Sequence, residues 1–292
     1  MLVGARSLGC VSFVGGRDAG AKVSTSLADL GRRHVLEQEG LNCWGVWEYG
    51  DWDLLTRQIR ASFDYGKQRC TAYPRFVVQR SLFHEFLGAY LAAVGSLRFG
   101  HPLAVAEPGD PLPELDFGPL INASKAKELA DQVDEAVARG GVPVHRASLA
   151  AGHFLPGQDI SAYVAPTALL NPPRSSPLFH AEPFGPVDTF VLVDTEAELL
   201  AAMNASNGAL VATLSCGEEE TFHRLAPEVR AFKVGHNKPR SRGDREELFG
   251  GLGASWRGAF VGGELLVRAA TTAGQDADER LPGNFPHYTM LP

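Results

Sequence analysis

Short apolar runs alternate along this chain with longer stretches in which apolar residues recur every three or four positions. The runs at 10–14, 34–37, 44–47, 76–78, 142–144, 160–170, 190–193 and 210–215 predict strands. The spaced stretches at 19–33, 51–63, 82–97, 124–139, 195–205 and 218–225 predict helices, the second opened by Asp51 as its N-cap. Strands that alternate with helices of this length predict an α/β fold on a largely parallel sheet. Past Lys233 the pattern lapses into a charged stretch at 237–245, a glycine-rich one at 249–253 and a polar, proline-containing tail at 279–292.

Composition narrows the class. The 292 residues, 45% hydrophobic and 21% charged, are those of a folded globular protein long enough to bury a core without disulfide or metal staples. Lys and Arg number 27 against 34 Asp and Glu, a formal charge of −7, which argues against a duplex-binding face. The longest apolar stretch, 86–97, falls short of the ~20 residues that cross a bilayer. Residues 1–16 run into Arg17-Asp18 with no small-residue cleavage site, so they predict a buried strand rather than a leader. A soluble, cytoplasmic protein with neither nucleic-acid nor membrane partners is expected. Cys10, Cys43, Cys70 and Cys216 lie far apart with no His at ligand spacing, so no metal site is expected.

Chemistry concentrates around Cys70, in Tyr65-Gly66-Lys67-Gln68-Arg69-Cys70-Thr71. A cysteine in a turn beside Lys67 and Arg69 has the electropositive surroundings that favour a thiolate. By itself this is equally a loop cysteine without a role. In company with other segments it is not. Gly66-Lys67-Gln68-Arg69-Cys70 resembles, with one residue inserted or shifted, the G-Q-x-C segment of the aldehyde dehydrogenase superfamily. Phe13-Val14-Gly15-Gly16 resembles its F-T-G-S turn, Glu37-Gln38-Glu39-Gly40-Leu41-Asn42 its E-L-G-G-K-N, and Asp116-Phe117-Gly118-Pro119-Leu120 its G-P-L segment. Glu182-Pro183-Phe184-Gly185-Pro186-Val187 is close to E-x-F-G-P-V, and Leu248-Phe249-Gly250-Gly251 to P-F-G-G. The order and separations match over most of the chain.

The resemblance implies an aldehyde-dehydrogenase-like catalytic domain plus a remnant of a Rossmann-like cofactor domain. It divides the chain into a remnant at 1–42, a catalytic domain at 43–255 and a C-terminal segment at 256–292 that can serve as an oligomerisation tail. It implies NAD or NADP as cofactor and a small aldehyde as substrate. Cys70 is then the nucleophile, its backbone N–H half of an oxyanion hole, and Glu37 the general base. Gly15 and Gly16 allow close approach of the pyrophosphate, Glu182 holds the nicotinamide-side ribose, and Phe184 lies beside the nicotinamide.

The departures matter too. Family members are much longer, and the resemblance puts Met1 inside the cofactor domain, so a homo-oligomer or a partner supplying the missing N-terminal half is expected. The usual adenosine-contacting Lys and oxyanion-hole Asn have no counterpart here. Glu39 and Leu41 replace a Gly and a Lys, and a carboxylate at Glu39 would oppose a pyrophosphate unless it points away. Beside aldehyde oxidation, two alternatives stay open: a pseudoenzyme or partner subunit without cofactor binding of its own, and a Cys70-dependent esterase or acyltransferase.

Overall fold

The computed structural model describes residues 4–5, 7–30, 33–105, 107–206, 208–240, 247–271 and 281–284. Eleven strands are present among these, in two sheets. The smaller has the order β1-β2-β10-β11. Here β1 (Cys10–Gly15) and β2 (Arg33–Gln38) run parallel, β10 (Trp256–Ala259) is antiparallel to β2, and β11 (Gly283–Asn284) is antiparallel to β10. Residues 256–284 therefore share a sheet with residues 10–38.

The larger sheet has the order β5-β6-β7-β4-β3-β8-β9, formed by Val142–Arg146, Thr167–Leu170, Val187–Val193, Arg75–Gln79, Cys43–Val46, Val211–Ser215 and Lys233–His236. All its pairs are parallel except β5 with β6. Both of its faces are covered, which explains why its central strands read as continuous apolar runs. Trp44, Val46, Phe76 and Val78 face one side, where α2 (Trp52–Ser62) contributes Leu55 and Ile59 and α3 (Phe83–Gly95) contributes Phe86 and Tyr90. Cys43 and Val77 face the other, against Leu199 and Met203 of α6 (Glu196–Met203) and Leu225 of α7 (Glu219–Leu225). The first face is an aromatic cluster: Phe76 stacks on Trp44 at 5.4 Å and meets Tyr90 and Phe190 edge-on. Each such side chain, fully buried, contributes roughly 1.5–3 kcal/mol. A separate cluster joins α4 (Ala123–Ala138) to Leu169, Leu178 and Val187, and α5 (Pro177–His180) carries Leu178.

The expected helices are present with shifted ends: α1 spans Arg17–Asp29, and Arg33 already belongs to β2. α2 opens as its sequence predicts, with Leu54 N donating to the Asp51 carboxylate at 3.0 Å. Three expectations need correction. The N-terminal strand is not buried; β1 is a sheet edge with Val14 64% exposed. The strand expected over 160–170 shrinks to β6, because Asp159 accepts from Ser161 N and starts a turn, and Pro166 has no N–H for a ladder. Beyond residue 233, where no strand was expected, β9, β10 and β11 form, along with α8 (Leu265–Ala270). The stretch 241–246 and the tail beyond 284, with its expected oligomerisation role, lie outside the described residues. Among the described residues no helix is long and apolar enough to cross a membrane.

Candidate active site

The carboxyl ends of β1 and β2 and the segment leading into β4 meet where the two sheets adjoin. Ligands of parallel α/β sheets collect beyond strand carboxyl ends, and Gly15-Gly16 and Glu37 occupy that position in the smaller sheet. Cys70 comes from the other side, five residues before β4 begins, and is half-buried. It follows a left-handed turn: φ is +57° at Tyr65, +62° at Gly66 and +58° at Lys67.

Asn42 ties these two segments together. It is fully buried, and its Nδ2 donates to the carbonyls of Cys70 and Ala72, both at 2.7 Å. Its Oδ1 accepts from Leu210 N and Val211 N at the start of β8, both at 3.1 Å. Four backbone groups are satisfied by one side chain, five residues along the chain from Glu37. Glu37 is itself 3% exposed and paired in register with Val14 of β1 and Trp256 of β10.

The cationic neighbours expected around Cys70 divide. Lys67 turns inward, 1% exposed, and donates to Asp188 at 2.6 Å and to the Tyr73 carbonyl at 3.0 Å, so its charge is matched in the core. Arg69 stays partly exposed, 3.8 Å from Asp64. Gln68 Nε2 donates to the Tyr65 carbonyl and to the Pro119 carbonyl at 3.0 Å. That second bond sets the Asp116–Leu120 motif beside the cysteine loop, and Phe117 lies against Gly66, where a Cβ would stand 3.3 Å from its ring. Of the aromatic residues near the loop, Trp44, Trp47 and Phe63 are core, and Tyr65 is 68% exposed.

On the other side, a Cβ built on Gly16 would meet only Glu39 Oε2, at 4.0 Å. Arg17, the first residue of α1, lies 3.6 Å from the Glu39 carboxylate and also donates to Ser206 Oγ. Burial raises the Glu39 carboxyl above its ordinary range, with Arg17 and Lys125 working against the shift. Glu182, 6% exposed, is raised well above the carboxylate range, first by burial and then by the charge of Glu39; the Gly40 N–H opposes the rise. Neither Glu182 oxygen makes a well-formed hydrogen bond to the described residues. Phe184 sits two residues further on with φ +52° and its ring 39% exposed, a left-handed conformation that a large side chain rarely adopts.

The structure thus sets Asn42, five residues past Glu37, on the Cys70 loop, and sets Gly16 and Glu182 each near Glu39. In the sequence Asn42 stands only at the end of a motif, and Lys67 only as a charge near Cys70. The partners that give them their roles lie up to 169 residues away and leave no local signal. Among the described residues no group of three His, Cys, Asp or Glu side chains is arranged to hold a metal.

Known proteins similar to this chain include aldehyde dehydrogenases. A succinate-semialdehyde dehydrogenase [NADP(+)] of Deinococcus radiodurans is 30% identical over 281 residues, covering 91% of this chain and 54% of that protein. An N-succinylglutamate 5-semialdehyde dehydrogenase of Novosphingobium aromaticivorans is 28% identical over 247 residues, covering 84% of this chain and 49% of that protein. The chain spans about half the length of the curated relatives it matches. Among solved structures, HpcC from Thermus thermophilus superposes with a TM-score of 0.80 at 26% identity, covering 93% of this chain and 51% of that one. Lactaldehyde dehydrogenase from Escherichia coli, at 24% identity and a TM-score of 0.77, shares the fold over 91% of this chain and 53% of that one. The profile of the aldehyde dehydrogenase family matches residues 1–272, and the chain belongs to that family.

Proposed function

We propose that this chain carries the catalytic centre of an enzyme that oxidises a small aldehyde to a carboxylic acid, with Cys70 as nucleophile and Glu37 as general base. The observation that carries the reading is the Asn42 tether, which fixes the Cys70 loop to the link that leaves β2 five residues after Glu37. The Cys70 thiolate adds to the carbonyl carbon and forms a C–S bond. The Cys70 N–H supplies one donor to the developing oxyanion. Once a hydride has left, the carbon on Sγ is a thioester. Glu37 takes a proton from the water that attacks it, and acid and free thiol are released.

The residues present fit NAD or NADP in part. Glu182 offers two buried carboxyl oxygens without a well-formed hydrogen bond to the described residues, which suit a ribose diol, and Gly16 leaves its backbone open. Gly15, Gly16, Glu182 and Phe184 would hold the nicotinamide half, and the dinucleotide supplies, when bound, the hydride acceptor. We propose a homo-oligomer partner or a companion chain as the source of further cofactor contacts.

One observation favours a second reading. Glu39 beside Gly16 opposes a pyrophosphate, which leaves ester hydrolysis or acyl transfer through Cys70 as the chemistry open to the chain without a dinucleotide. Calorimetry with NAD and NADP, wild type against Cys70→Ala, separates the two. Oxidation predicts saturable dinucleotide binding to both proteins and aldehyde turnover by the wild type alone. A folded sample that binds neither dinucleotide, yet hydrolyses p-nitrophenyl acetate through Cys70, establishes the second reading for the isolated chain.

A further inference from the structure

We propose that the buried Lys67–Asp188 ion pair is a positioning device that closes the loop carrying Cys70 and holds it in one shape. The inference rests on the reading of Cys70 as the nucleophile. Lys67 Nζ donates to the carbonyl of Tyr73, six residues on, so the bond joins the two ends of the segment 67–73. Cys70 stands midway, three residues from each end.

The shape needs holding. Tyr65, Gly66 and Lys67 are successive left-handed residues, and two of them carry side chains, for which that conformation is disfavoured. What holds it is directional. Asp188 Oδ1 accepts from Lys67 at 2.6 Å, and Asp188 Oδ2 accepts from the Tyr90 hydroxyl of α3 at 2.9 Å. The ammonium also lies over the rings of Phe63, at 4.3 Å, and Phe76, at 5.3 Å. Lys67 is 1% exposed and Asp188 is fully buried. One β7 carboxylate therefore fixes the ammonium, and the ammonium fixes both ends of the cysteine loop.

Stability alone does not account for such a pair. A buried ion pair is weak evidence for stability, since apolar residues of similar volume often do as well. Burial pushes the Lys67 ammonium below the usual lysine range and the Asp188 carboxyl above the usual carboxylate range, so each depends on the other to stay charged. What the pair adds over an apolar contact is direction: a charge-assisted bond that reaches one carbonyl beyond the nucleophile.

The test reads the loop itself, by amide hydrogen exchange and by iodoacetamide alkylation of Cys70 across pH 6–9.5. Lys67→Met is expected to raise exchange over 68–74 at least tenfold and to change the alkylation rate at least fivefold, while β3 and β7 keep their protection. Asp188→Asn, which loses the charge and replaces one of the two acceptor oxygens by an amide NH2, is expected to do the same about threefold, and it decides the matter if Lys67→Met does not fold. Leu199→Ala, a fully buried position on the opposite face of the sheet, serves as a destabilised control with an unchanged loop. Exchange at 68–74 equal to wild type, or a loosening spread evenly over all strands, overturns the proposal. Aldehyde turnover that survives Cys70→Ser sinks the nucleophile reading instead and leaves the exchange result standing, so the two failures are distinguishable.

Discussion

Replacing Asn42 by alanine removes four hydrogen bonds at a position with no solvent exposure. The carbonyls of Cys70 and Ala72 and the N–H groups of Leu210 and Val211 lose this partner together. A buried backbone group left unpaired costs about 1–3 kcal/mol. The cavity left by the amide can admit a water that recovers part of this, so we take the lower bound for each group, about 4 kcal/mol in all. For a chain of this size that corresponds to a fall in melting temperature of about 6–7 °C. Guanidinium unfolding of wild type and Asn42→Ala measures it, and Asn42→Asp separates the two ends. The aspartate keeps an acceptor for Leu210 and Val211 but turns acceptor oxygens toward the carbonyls at Cys70 and Ala72. It should therefore disturb the alkylation of Cys70 more than an equal loss of stability elsewhere would. A loss below about 1 kcal/mol for Asn42→Ala would refute the reasoning, since it would mean that these four groups find other partners at no cost.

Two further outcomes follow from the charges and the backbone. Glu182 holds a proton in the folded chain to a higher pH than in the unfolded one, so its contribution to stability is present below the ordinary glutamate range and is lost as pH rises toward the raised folded value. Urea unfolding between pH 5 and 8 should show wild type weakening relative to Glu182→Gln by up to about 1.4 kcal/mol per pH unit, and parallel curves would contradict it. Gly258 of β10 has φ +93°, and a Cβ there would fall 1.9 Å from the His34 carbonyl of β2. Gly258→Ala should cost at least about 2 kcal/mol and open the β2–β10 pairing to amide exchange before the larger sheet opens. Uniform exchange across both sheets would show that the strain is spread rather than local.

How much of this was legible in the sequence depends on where each element keeps its partners. β3, β4, β7 and β8 were readable because both sheet faces are covered, which makes Trp44–Val46 or Phe190–Val193 apolar throughout. α2 was readable because Asp51 and the burial of Leu55 and Ile59 are local facts. β9 was not, since an edge strand of the form Lys-Val-Gly-His carries no apolar run. β10 was not, because Trp256–Ala259 is a strand only by virtue of β2, more than two hundred residues earlier. The site divides the same way. Cys70, Glu37 and Glu182 were marked by short motifs. The sequence shows Lys67 only as a cation beside Cys70, since Asp188, its buried partner, stands 121 residues downstream.

The connection from Glu37 to Asn42 shows why the motif spacing has physical content. Each of its residues meets a different part of the molecule. Glu37 is buried in the smaller sheet, and Gln38 packs where a Cβ on Gly20 of α1 would stand 2.6 Å from its side chain. Glu39 faces Arg17 and Gly16, and Gly40 is pressed against Ser255, where a Cβ would stand 2.8 Å from Oγ. Leu41 is core, and Asn42 reaches the Cys70 loop and the start of β8. A single link between two sheets thus sets Glu37, Glu39 and the Cys70 loop in one register. An insertion or deletion of one residue there would move all three at once. A substitution at Glu39 changes the charge beside Gly16 and leaves the Asn42 bonds to the Cys70 loop in place.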